Sequence, residues 1–109
     1  MQKKETIESI VKLANACVNK PFKMNAYGPN DFDQAGLVQY VFKQTIKKEL
    51  SHKIDQMFKV GQKIEQGDIE AGDILFFDIE KKNVPNHVGI YLGNNEMIHC
   101  MVREGVRKV

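Results

Sequence analysis

The chain has 109 residues, 42% hydrophobic and 28% charged, an ordinary globular composition with room for a single domain over 1–109. Sixteen basic residues against fourteen acidic ones give a net charge of +2 spread along the chain, which excludes the basic face that a nucleic-acid partner requires. No apolar run nears the roughly 20 residues of a membrane span. The two cysteines, Cys17 and Cys100, make neither a disulfide framework nor a Cys-x-x-Cys pair, so zinc-ribbon and dithiol redox chemistry are set aside.

Lys3 and Lys4 precede an amphipathic segment with no continuous apolar stretch, so no signal peptide is visible and the compartment stays open. Ile7, Ile10, Val11, Ala14, Cys17 and Val18 recur at helical spacing until Pro21. A first helix is expected there, with Cys17 a small buried thiol on its apolar stripe. Residues 19–33 read as a loop holding Pro21, Gly28, Pro29 and Asn30. A second helix follows, with Leu37, Val38, Val41, Phe42 and Ile46 on one side and Lys43, Lys47 and Lys48 on the other. Asp31 or Asp33 is placed to cap it, because a carboxylate accepts from the free N–H groups of a first turn. His52 is expected at the surface.

The period changes near residue 60, dividing a helical half (about 1–60) from a strand-rich half (about 61–109). Ile74–Asp78, Val88–Leu92, Glu96–His99 and Val106–Val109 are short and apolar, with Gly-Asp or Asn-Asn turns between several of them. Helices first and consecutive strands later predict an α+β domain with an antiparallel sheet. Phe76, Phe77 and Tyr91 read as core or sheet-face residues. Between Glu65 and Glu80 lie acids without any base, the pattern of a solvated connection and strand edge.

Three segments carry the chemistry. Phe32-Asp33-Gln34-Ala35-Gly36-Leu37-Val38 opens the second helix, Ala71-Gly72-Asp73-Ile74-Leu75-Phe76-Phe77 leads the strands, and His87-Val88-Gly89-Ile90-Tyr91-Leu92-Gly93 precedes Met97-Ile98-His99. Their order and spacing resemble the NlpC family of bacterial cell-wall cysteine peptidases, within the papain-like superfamily, from about Ile7 to Val106. The resemblance implies N-terminal helices packed on a small antiparallel sheet. It also implies a nucleophilic cysteine on the first turn of a helix, where the dipole and free N–H groups favour thiolate. His87 would then be the base, and His99 the residue orienting it. Tyr27 and Asp33, with Ala35, would line the substrate side.

At the nucleophile's position this chain has Gln34, and Ala35 stands where serine is usual. A carboxamide has no ionisable proton and cannot form an acyl-enzyme, so no amide hydrolysis is expected. Cys100 follows His99 on a strand and must face the other way, so it neither replaces the nucleophile nor completes a zinc site with the two histidines. No metal and no cofactor are expected. The family's Leu-Pro-Arg segment, whose arginine helps hold a substrate carboxylate, corresponds here to Leu50-Ser51-His52-Lys53. The further strand that commonly follows Gly105-Val106-Arg107 has no counterpart before Val109, which leaves a sheet edge exposed or differently covered.

Three readings follow. The first is an inactive peptidase-family domain that binds a peptidoglycan stem peptide or a protein partner. The second is an active endopeptidase, cleaving between D-glutamate and a diamino acid, whose cysteine at 34 has been replaced. The third is an interaction module that reuses the fold. Retention of both histidines favours the first two. By resemblance the setting is bacterial, secreted or associated with the cell wall.

Overall fold

The amphipathic stripe of the first segment winds into α1 (Lys3–Ala16), which buries Ile10 and Ala14, with Cys17 buried just past its end. The computed structural model describes residues 3–61 and 64–109. Helix α2 (Gln34–Ile46) begins after the N-cap Asp33 and buries one continuous side, Leu37, Val38, Val41 and Phe42. Lys47 ends it in a left-handed conformation (φ 59°), its N–H bonded back to the Phe42 carbonyl. A short helix that the sequence pattern does not announce, α3 (Ile54–Val60), tucks Met57 into the core.

The second half folds as four strands: β1 (Ile74–Phe77), β2 (His87–Gly93), β3 (Glu96–Met101) and β4 (Gly105–Lys108). All neighbours pair antiparallel in the order β1-β2-β3-β4, so the expected α+β architecture holds. The Asn94-Asn95 turn joining β2 to β3 places both residues at positive φ (54° and 62°). Asparagine tolerates that region, and this turn geometry matches the twist of the flanking strands.

Alternation sorts the sheet's faces. Ile90 pairs with Ile98 and Cys100 with Val106, and together with Val88 these fully buried residues form the face that meets the helices. Helix α2 lies against β2 and β3, and α1 packs on α2. Each fully buried aliphatic side chain in this layer contributes about 1.5–3 kcal/mol. The opposite parity, His87, Gly89 and His99, faces the other way. The core therefore fixes the position of two histidines it does not contain.

Candidate functional site

The start of α2 is held by one carboxylate. Asp33 Oδ1 accepts from the Gly36 N–H at 2.7 Å, and Oδ2 accepts from the Asn25 N–H at 3.0 Å. The first contact is the helix cap expected from sequence, and the second ties the preceding loop to it. Gly36 is obligatory here. A Cβ at that position would lie 1.9 Å from the Ala26 carbonyl oxygen, so only glycine lets the first turn approach the 26–27 backbone. Gln34 is thus the first residue of α2 and Ala35, largely buried, the second.

On the sheet, His87 opens β2 and His99 sits on β3 opposite Gly89. The missing side chain at Gly89 leaves His99 free to reach diagonally to His87. Their facing nitrogens, His87 Nε2 and His99 Nδ1, are 2.9 Å apart, with the rings edge to face at 5.0 Å. Phe77, paired with His87 across β1 and β2, closes another side at 6.1 Å between ring centroids. His87 is only 4% exposed, and its Nδ1 is buried with no hydrogen-bond partner among the described residues. Burial pushes the His87 pKa below the ordinary histidine value, and the neighbouring His99 lowers it further. Burial also lowers that of His99, partly opposed by the charge of Glu104. An uncharged imidazole with one nitrogen bonded to a second imidazole and the other unpartnered is equipped to accept or deliver a proton at Nδ1.

One contact ties the sheet to the chain just before α2. The Cys100 thiol, on the residue after His99, donates to the Phe32 carbonyl at 3.3 Å, so β3 touches the chain two residues before Gln34. Cys100 faces the core, as strand parity requires. Its pKa is pushed up to about 12, by burial first and then by the charge of Asp33. Burial likewise raises that of Cys17. Neither native thiol is a nucleophile.

His52 departs from expectation. The surface residue anticipated from sequence is a half-buried one that donates from Nε2 to Asp33 Oδ2 at 2.6 Å. Its Nδ1 lies against the side-chain oxygen of Gln39, whose amide nitrogen is fixed by donation to the Leu50 carbonyl at 2.9 Å. Tyr27, expected on the substrate side, is an exposed residue whose ring meets His52 edge-on at 6.2 Å. Tyr27, Gln39, Leu50 and His52 border a cleft of about 480 Å³. No periodicity marks His52. The available signal was its place in the Leu50–Lys53 stretch, where the resembling family carries a charged donor. Among the described residues no cluster of His, Cys, Asp and Glu is arranged to hold a metal ion.

Residues 19–108 match the NlpC/P60 family. A gamma-DL-glutamyl hydrolase of Bacillus subtilis is 32% identical over 102 residues, covering 91% of this chain and 24% of that protein. The NlpC/p60 domain of the peptidoglycan hydrolase SagA superposes with a TM-score of 0.85 at 27% identity, covering 94% of this chain and 87% of that one. RipD of Mycobacterium tuberculosis, described as a non-catalytic NlpC/p60 domain protein adapted to peptidoglycan binding, shares the fold at 24% identity. Its TM-score is 0.82, with coverage of 100% of this chain and 88% of that one. The chain spans less than two thirds of the length of the curated relatives it matches, such as the 24% above and 51% of a probable endopeptidase NlpC homolog of Haemophilus influenzae.

Proposed function

The chain belongs to the NlpC/P60 family, and on that premise we propose that it is a peptidoglycan-directed domain that holds a γ-glutamyl-linked stem peptide without cleaving it. The observation that carries this reading is Gln34, a carboxamide on the first residue of a capped helix, at the position to which the sequence resemblance assigns the nucleophile. The rest of the machinery is kept. His87 and His99 remain paired, and His87 Nδ1 stays buried and unpartnered on the side left open by its bond to His99. In an active relative, His87 would take the nucleophile's proton and His99 would hold the ring in the productive tautomer. Here Gln34 can donate or accept a hydrogen bond but cannot attack a carbonyl carbon. Tyr27 stays exposed at the rim as a contact for a bound peptide, and Asp33, buried behind it, acts through His52. The name of the Bacillus subtilis relative supports a γ-glutamyl ligand, and that of RipD supports retention of the fold for binding.

Two measurements test this. Prolonged incubation of the protein with muropeptides, followed by chromatography, should give no new products; turnover abolished by His87→Ala would overturn the reading. In Gln34→Cys, the new thiol should react with iodoacetamide near pH 6 at least tenfold faster than Cys17 or Cys100, as the helix start and an imidazolium favour thiolate. Labelling no faster than the native thiols would mean that the catalytic geometry has decayed, leaving an interaction module.

A further inference from the structure

Beyond the site assigned above, the cleft beside Asp33 has a charge pattern that selects among its ligands. Three charged side chains line it, Lys43, Glu49 and His52, and each faces a partner. Lys43 Nζ lies 3.5 Å from Glu49 Oε1. His52 gives Nε2 to Asp33 and meets Gln39 at Nδ1, so neither ring nitrogen is left over for a ligand. Gln39 is saturated too, between His52 and the Leu50 carbonyl. The positive end of α2, which would otherwise draw an anion, is capped by the Asp33 carboxylate itself.

Neither protonation state of His52 gives its pair with Asp33 a net positive charge. With two ring protons the Asp33–His52 pair is neutral, and with one it carries a full negative charge. Lys43 and Glu49 cancel in both cases. In neither state do the described lining side chains offer an uncommitted cation, and in one they repel anions. A γ-linked glutamyl residue leaves its α-carboxyl group free, and that group reaches a binding site either as a carboxylate or as a carboxamide.

From this geometry we infer that His52 is a specificity-determining residue: its ring is committed to Asp33 and Gln39, and the cleft takes γ-glutamyl peptides whose α-carboxyl is amidated in preference to the free acids. The inference rests on the peptide-binding function proposed above and deepens it. A carboxamide brings no charge into a cleft whose lining cations already face partners, where a carboxylate would find no counter-charge.

The test is calorimetric titration of the protein with two synthetic tripeptides, L-alanyl-γ-D-isoglutaminyl-L-lysine and L-alanyl-γ-D-glutamyl-L-lysine. The amidated peptide should bind about tenfold tighter, the discrimination expected of one uncompensated charge at a half-exposed site. In His52→Arg, the five-donor guanidinium can hold Asp33 and still present N–H groups to the cleft, so the preference should vanish or reverse. Equal or tighter binding of the acid by the unmodified protein overturns the inference, as does an unchanged preference in a folded His52→Arg variant. If that variant fails to fold, the unmodified protein decides alone. Absence of binding by both peptides instead removes the peptide-binding reading and this inference with it.

Discussion

His52 and His87 are both imidazoles in polar surroundings, yet their circumstances are opposite. His52 is a third exposed and both of its nitrogens have partners. His87 is almost fully buried and one nitrogen has none. An unpartnered buried polar group costs about 1–3 kcal/mol, and folds rarely tolerate one without a use for it. On the reading proposed above, the saturated histidine braces the first turn of α2, and the unsaturated one is the candidate for proton transfer. The same contrast runs through their scaffolds. The α2 start is assembled from loop contacts that allow no displacement, whereas the sheet carries His87 and His99 on regular alternation.

Two glycines expose that difference most strongly. Gly36→Ala would push a Cβ to 1.9 Å from the Ala26 carbonyl, a backbone atom that cannot step aside. The expected loss is about 3 kcal/mol or more, at or beyond the upper end for overpacking. Gly89→Ala would meet Met97 Sδ at 3.0 Å and the Ile98 carbonyl at 3.1 Å, contacts relieved by a turn of the flexible thioether and a backbone shift of a few tenths of an ångström. About 1 kcal/mol is expected there. Urea denaturation of both variants measures the pair. Equal losses would mean that the two scaffolds are equally rigid, and the contrast would fall.

This asymmetry also explains what sequence could reveal. Strands β2 and β3 were legible because side-chain alternation is local, and it correctly separated Cys100 from His99. A carboxylate cap was legible because an acid ahead of an apolar helical stripe has one main use, but the choice between Asp31 and Asp33 was not, and the fold assigns it to Asp33. Helix α3 was not, since seven residues are too few to establish a period and Lys53 supplies no side-chain cap. The role of His52 depends on partners 19 and 13 residues away, Asp33 and Gln39, that only the folded chain brings together. Its neighbours Ser51 and Lys53 are polar and exposed, so the local pattern pointed to the surface.

A smaller effect separates the two functions of Asp33. Asparagine caps helices as well as aspartate does, so Asp33→Asn preserves the Gly36 contact. Its amide nitrogen would replace Oδ2, however, and would face two donors, the Asn25 N–H and His52 Nε2. The expected cost is about 1–2 kcal/mol, with Asp33→Ala losing about 1 kcal/mol more through the cap itself. If Asp33→Asn is as stable as the parent in urea, His52 does not brace the helix start, and its ring is available to ligands after all.

The smallest expected effect is the most specific to the sheet histidines. Their folded pKa values lie below the ordinary value of 6.5, chiefly through burial, with His99 adding to the shift of His87 and Glu104 opposing that of His99. Below pH 6.5 the unfolded chain takes up protons that the folded one still refuses. The unfolded state then binds more protons, so stability rises with pH across this window. The stabilisation is fully present above pH 6.5 and is lost as the pH falls towards the depressed folded values. Thermal midpoints at pH 7.5 and 5.5 should therefore drop on acidification, and the drop should shrink in His87→Gln, which removes one of the two groups while leaving Asp33 and His52 untouched. Because the substitution is confined to the sheet, the difference between the two drops isolates the sheet histidines. A one-dimensional NMR titration gives the direct check: the His87 ring should reach its midpoint below that of a free imidazole. A midpoint above 6.5 would place an anion beside His87 Nδ1, and the nitrogen described here as unpartnered would have a partner.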